Sequence, residues 1–222
     1  MEIIPVNSVS SYIIKSQEEE MKRVSQELHE GVGQTLYSIF TGLQFIETSL
    51  QDIETKRYVH NMAELLEKTI QEIRLFSVEL YPPTLTSFGL FAAMKHYAQL
   101  YMTTFGIEVE VNSSGVEKQI PEERNIALFR VCQEAMANIA KYADTAKASI
   151  SFTWTSQYLY ITITDYGKGF SETDVKQGHS YGLAAMKERM QLIGGTCQIS
   201  SSTGSGTIVE ISIAISETTG RE

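Results

Sequence analysis

Three groups of residues in this chain have types and spacings that could do chemistry. The first is His29, followed directly by Glu30 and then by Gln34, in the run MKRVSQELHEGVGQTL. Imidazole titrates at about 6.5 in model peptides, so near neutrality one ring nitrogen is a free nucleophile while the other holds a proton. Glu30 stands next door to take that proton, and Glu30 with Gln34 at (i, i+4) could position a water. A lone histidine on a helix is more often a plain surface residue. Gly31 and Gly33 weigh against that reading, because each costs about 1 kcal/mol in a helix interior relative to alanine. They either clear space for a bulky reactant or mark a weak helix rescued by packing.

The second group is Glu134, Asn138 and Lys141. At about 100° per residue they share one stripe, opposite the apolar side formed by Phe129, Cys132, Met136, Ile139 and Ala143. The stripe is either a solvated face or a ligand-facing one. The third group is glycine-rich. Asp165 ends the alternating run Ile161-Thr162-Ile163-Thr164 and is followed by Gly167 and Gly169. Gly178 and Gly182 lead into a helical pattern beginning at Leu183, and Gly204-Ser205-Gly206-Thr207 opens the last strand. Glycines after a strand let the backbone turn sharply and approach a ligand, and a helix N-terminus offers N–H groups to phosphate. The spacing fits neither the Walker A loop nor the dinucleotide fingerprint.

These residues need elements to hold them. Met21, Val24, Leu28, Val32, Thr35, Ile39, Leu43, Ile46 and Leu50 recur at three- and four-residue steps, a heptad-like seam on a long helix. After a polar break around Asp52 to Thr55, a second seam runs from Val59 to Leu80, where Tyr81-Pro82-Pro83 ends it. The two helices predict an antiparallel hairpin with apolar surface left over, which a second copy would bury in a four-helix bundle. From Thr84 to Phe105 a connector and a further amphipathic helix are expected. Beyond it the pattern predicts a strand over 107–111, a helix over 121–143, a hairpin of strands over 147–155 and 158–165, a helix over 183–193, and closing strands over 196–202 and 207–215. This is an α+β chain. A helical hairpin precedes an α/β sandwich with helices on one face of a largely antiparallel sheet. The expected divisions are a linker over 1–16, the hairpin over 17–83, the connector and helix over 84–103, and the sandwich over 104–222.

The 222 residues carry a net charge of -9, which argues against a direct nucleic-acid partner, since phosphate binding needs a basic surface. Cys132 and Cys197 lack ligand-like spacing, and Cys132 lies in an apolar stripe; a reducing cytosol fits. No apolar run approaches the ~20 residues of a membrane span, and the opening MEIIPVNSVSSYIIKS lacks a secretion pattern. A cytoplasmic location is expected, on its own or as the cytoplasmic part of a membrane-bound sensor, with no membrane contact in this chain.

ANIAKYA around Asn138, DYGKGF at Asp165, GHSYGLAAMKER and GSGT, in that order, resemble the ATP-binding domain of histidine kinases, whose fold is shared with gyrase, heat-shock-ninety and mismatch-repair ATPases. MKRVSQELHEGVGQTL and LYPPTLTSFGLFAAM resemble the phosphoacceptor region of the nitrate-sensor and DegS-like histidine kinases. The resemblance implies a two-component sensor histidine kinase using ATP and magnesium. His29 would be the phosphoacceptor, Glu30 the base, and Gln34 a participant in dephosphorylating the partner regulator. It implies an ATP site of Glu134, Asn138, Lys141, Tyr142, Asp165, Gly167, Gly169, Gly178, Gly182, Leu183 and Thr207. In it Asn138 holds Mg, Lys141 lies near the phosphates, and Asp165 accepts the adenine amine with Thr207 beside it through water. The implied partners are a second copy through the hairpin and a response regulator with a receiver domain. Two positions depart from the family's habit: Tyr142, where relatives usually carry histidine, and Glu30, where most carry aspartate. An ATPase of the same fold that never phosphorylates histidine, and a non-catalytic dimerisation scaffold, are the alternatives.

Overall fold

The computed structural model describes residues 6–171 and 180–215, with side chains over 16–171 and 181–215. The chain divides into two compact units, Met1–Pro83 and Thr84–Glu222.

The first unit is a helical hairpin. Helix α1 (Val6–Gln26) runs through a π-helical segment, Glu27–Gly33, into α2 (Gln34–Ser49); α3 (Ile53–Leu80) returns. The helix begins well ahead of the apolar seam, so most of the expected linker over 1–16 is helical. No glycine or proline occurs between Val6 and Glu30 to interrupt it. The break between the arms is shorter than the polar stretch suggested, because Asp52 caps α3: its carboxylate accepts the Thr55 N–H at 2.8 Å. Hydrogen bonds from Thr55 hold that carboxyl below the usual range.

Val59, Ala63, Ile70, Leu75 and Val78 are the buried apolar positions of α3. A polar clasp lies among them. The Ser25 hydroxyl is 2.8 Å from the Ser77 and Tyr81 carbonyls, and Ser77 Oγ donates to the Ser25 carbonyl at 2.9 Å. Both serines are fully buried. The Tyr81 carbonyl lies past the end of α3, where Ser25 supplies it with a donor.

The second unit opens with α4 (Pro83–Phe105), which breaks at Gly89, where φ is 81°. Beyond the break the Glu117 carboxylate accepts the Phe91 N–H, while burial pushes its carboxyl above the usual range. Strand β1 (Glu108–Ser114), α5 (Glu122–Asn138) with a π segment over Ile139–Ala143, β2 (Lys147–Trp154), β3 (Tyr158–Asp165), α6 (Ser180–Leu192), β4 (Gly195–Ser201) and β5 (Thr207–Ala214) follow. Among the described residues the strands form one sheet in the order β1-β2-β3-β5-β4. Only β1 and β2 are parallel; the other pairs are antiparallel.

Alternation puts Ile150, Phe152, Leu159, Ile161, Ile163, Val209 and Ile211 on the buried face, against Met94, Tyr97, Tyr101, Leu128, Phe129 and Met136 of the helices. Phe91 meets Phe152 edge-on at 5.5 Å, and Tyr97 meets Phe129 at 5.6 Å. The Tyr101 hydroxyl donates to the Met136 carbonyl at 2.7 Å, close to the point where α5 widens into its π segment.

Candidate active site

The register of the sheet assembles the first site. Asp165 is the last residue of β3 and Thr207 the first of β5, and the two are direct partners in the antiparallel ladder. Directly opposed side chains share a face about 5 Å apart. Both therefore face the helices, where a cavity of about 440 Å³ opens beside α5. That volume falls within the ~300–1,000 Å³ of small-molecule sites. Asp165 is only 4% exposed. Its Oδ1 accepts the Gly167 N–H at 2.9 Å, which leaves Oδ2 as the acceptor for a ligand. Around the carboxylate the lining is mainly apolar: Ile139, Ile163, Phe170, Leu183, Met186 and Val209.

Three glycines are obligatory here, Gly167 because a Cβ would run into the Ala143 carbonyl. Gly169 (φ 60°) and Gly206 (φ 75°) lie in the left-handed region, and a Cβ would run into the Ser202 carbonyl at the first and the Asp165 carbonyl at the second. All three clashes are with backbone, which cannot swing away. The turn after Asp165 is strapped to its neighbours by Lys168 N–H to Ala143 O at 2.8 Å and by Gly204 N–H to Lys168 O.

On α5, the Asn138 amide nitrogen is 3.5 Å from Glu134 Oε1, and a Cβ on Gly182 would strike that same carboxylate oxygen. Glu134, Asn138 and the start of α6 thus meet. Asn138, Tyr142, Asp165, Gly169, Leu183 and Thr207 line the cavity. Lys141 is exposed and is not part of the lining. The π segment explains this: a turn closed i→i+5 carries one more residue than an α turn, so Tyr142 takes the place that a regular helix would give to its neighbour. Gly178 lies outside the described residues.

Sequence reasoning missed Ile163, Val209, Phe170, Lys168 and Thr203 as lining residues. The first two were available in the pattern, since each stands two positions from Asp165 or Thr207 and so shares its face.

His29, Glu30 and Gln34 belong to the other unit. His29 and Glu30 lie within the π segment Glu27–Gly33, which contains no buried residue, and all three side chains are exposed. A Cβ on Gly31 would meet nothing within 4 Å, whereas one on Gly33 would approach the Leu28 carbonyl to 3.3 Å. The imidazole is open to a reactant from outside its own hairpin.

A buried carboxylate opposite a threonine, ringed by glycine turns over a helix-backed sheet, makes a pocket that can hold a flat, polar-edged ring. Residues 123–217 match the family described as Histidine kinase-, DNA gyrase B-, and HSP90-like ATPase, and residues 20–85 match a second family described as Histidine kinase. The first of these domains implies ATP binding. The oxygen sensor histidine kinase NreB of Staphylococcus carnosus (strain TM300) is 31% identical over 92% of this chain and 59% of its own. The signal transduction histidine-protein kinase/phosphatase DegS of Brevibacillus brevis is 31% identical over 91% of this chain and 53% of its own. The chain thus spans little more than half the length of these relatives. Among solved structures, the histidine kinase domain of the blue-light activated kinase of Erythrobacter litoralis EL346 aligns with 81% of this chain and 94% of its own, at 16% identity and a TM-score of 0.49. The two matched domains, in this order, together with these relatives match the chain to the nitrate-sensor/DegS-like family of histidine kinases.

Proposed function

We propose that this chain is the catalytic region of a two-component sensor histidine kinase, which phosphorylates His29 from ATP and passes the phosphoryl group to an aspartate on a response regulator. The observation that carries the reading is the pairing of buried Asp165 with Thr207 in an apolar cavity, in a chain that also exposes His29 beside Glu30. Asp165 accepts the adenine amine, a charge-assisted bond that contributes about 1.5–3 kcal/mol and that a 6-oxo purine cannot make. Thr207 stands beside it, and Tyr142, Gly169 and Leu183 shape the walls.

In the transfer, one imidazole nitrogen of His29 forms a bond to the γ-phosphorus in line with the departing bridging oxygen, and ADP leaves. The proton on the other imidazole nitrogen passes to or is held by the Glu30 carboxylate. Asn138 and Glu134 supply oxygen donors of the kind magnesium takes, and a bound ion would neutralise phosphate charge there. Lys141 serves the phosphates from the rim of the site. Gln34, one turn beyond Glu30, orients the water for the opposite reaction, hydrolysis of the regulator's phosphoaspartate, in keeping with the kinase/phosphatase name of one relative. The active form is a homodimer through the hairpin, located in the cytoplasm. No described helix is long and apolar enough to cross a membrane.

Incubation with γ-labelled ATP tests the assignment. The expected product is an acid-labile, base-stable label on His29 that disappears in His29→Gln, while ATP binding persists. Continued protein labelling in that variant would instead leave an ATPase or a different acceptor.

A further inference from the structure

The nucleotide reading leaves one buried-side hydroxyl without a role: Ser201, the last residue of β4. It accepts the Phe170 N–H at 3.0 Å and donates to the Gly206 carbonyl at 2.8 Å. Its Oγ also lies 3.2 Å from Thr207 Oγ1. Ser201 has a single proton, and the carbonyl can only accept, so that proton is committed to Gly206. In the contact between the two hydroxyls, Thr207 must therefore be the donor and Ser201 the acceptor. One side chain thus joins the turn after Asp165, the 204–206 turn and the hydroxyl of Thr207. Phe170 and Thr207 both line the cavity, whereas Ser201 does not.

We infer that Ser201 is a positioning residue of the nucleotide site, holding Thr207 and the Phe170 turn in the geometry that receives the base. This rests on the reading of the cavity as an ATP site. Two features make it more than scaffolding. The straps Lys168 N–H to Ala143 O and Gly204 N–H to Lys168 O are backbone bonds independent of Ser201, so the turns keep their course without it. What its loss releases is the rotamer of Thr207 and the amide of Phe170, both at the base end. The hydrogen bonds of Ser201 go to Phe170, Gly206 and Thr207 at the base end, so its effect falls on binding and not on the chemical step.

The test is ATP affinity by calorimetry and autophosphorylation kinetics on the full chain, for Ser201→Ala, Ser201→Cys, Ser201→Thr and Thr207→Val, alone and combined with Ser201→Ala. Ser201→Ala is expected to raise Kd and KM for ATP about tenfold with kcat at saturation unchanged. Ser201→Thr, which keeps the hydroxyl, restores affinity to within about threefold. In the Thr207→Val background, Ser201→Ala adds less than half of its own logarithmic effect, because its main target is gone. If Ser201→Ala does not fold, Ser201→Cys, with its weaker donor and acceptor, carries the same expectation. Affinity equal to the parent in a folded Ser201→Ala or Ser201→Cys chain, or full additivity with Thr207→Val, overturns the inference. Failure of the parent chain to bind ATP would overturn the site itself, a distinguishable result.

Discussion

At the residue scale, the chemistry turns on which atoms are already committed. Asp165 gives Oδ1 to the Gly167 N–H, and this decides what an isosteric change would do. In Asp165→Asn the amide oxygen takes over that bond and the NH2 is turned to the ligand, donor against the adenine donor. ATP affinity should fall tenfold to a hundredfold, following the ~1.5–3 kcal/mol of a charged hydrogen bond, with the melting temperature little changed. Calorimetry on the two proteins measures it, and equal affinity would remove Asp165 from the adenine contact. Cys132 offers a different check, on the core. Burial above all, helped by Cys197, pushes its thiol up to about 12. A raised thiol pKa keeps the folded chain protonated while the unfolded chain ionises, so stability is intact below about pH 9 and drains away between there and about pH 12. The chain should lose about 1.5 kcal/mol between pH 8 and pH 10 through this group alone. Urea titrations of the parent and Cys132→Ala isolate it: the variant should lose less over the same interval. Its core position was legible from the apolar stripe, as was the place of Asp165 at the end of an alternating strand beside glycine turns. Ser201 was not. Four hydroxyl residues run together over 200–203, and nothing local says which of them meets the neighbouring turns.

At the element scale, heptad and alternating patterns gave the helices and strands because those periods are set by burial on one face. Gly89 and the Asp52 cap likewise left signatures in composition. The two π segments did not. A single-residue widening changes no residue type and costs only one step in a repeat that already alternates threes and fours, so the count absorbs it. Yet both fall at candidate site residues, one around His29 and one beside Asn138, and the second turns Lys141 off the cavity wall. Gly31 and Gly33 were the one trace of the first, and the structure separates them. A methyl on Gly31 meets nothing, so Gly31→Ala should recover up to about 1 kcal/mol of helix propensity. A methyl on Gly33 presses the Leu28 carbonyl at 3.3 Å, across the widened turn, so Gly33→Ala should gain less or lose. Thermal unfolding of the two variants gives the order directly. If Gly33→Ala is the more stable, the turn around His29 is not held open by that glycine.

At the scale of the whole molecule, the hairpin and the sandwich each have a core of their own, and the hairpin leaves apolar side chains exposed at regular spacing. Val32, Ile39 and Ile46 stand seven residues apart and are 42%, 50% and 47% exposed, so one edge of the heptad seam faces outward along the first arm. Met62, Leu65 and Phe76 do the same on α3. Monomeric surfaces tolerate scattered apolar residues but seldom a stripe at heptad spacing, which is the pattern of a helical interface. A second copy of the hairpin would bring the matching stripe, and a two-fold bundle would cover both arms at once. Ile39→Glu probes this with little effect on the single chain, because the side chain is already half exposed there. In the bundle it would bury an uncompensated charge, costing about 3–5 kcal/mol, or at least a hundredfold in the dimer dissociation constant. Sedimentation at micromolar concentration should show the parent as a dimer and the variant as a monomer, with ATP affinity unchanged because the cavity belongs to the other unit. The label from γ-labelled ATP then reports the geometry of transfer. Its loss in a monomer that still binds ATP means that each nucleotide serves the His29 of the opposite copy, and its retention means that each chain phosphorylates itself. A variant that remains dimeric would place the interface elsewhere on the hairpin.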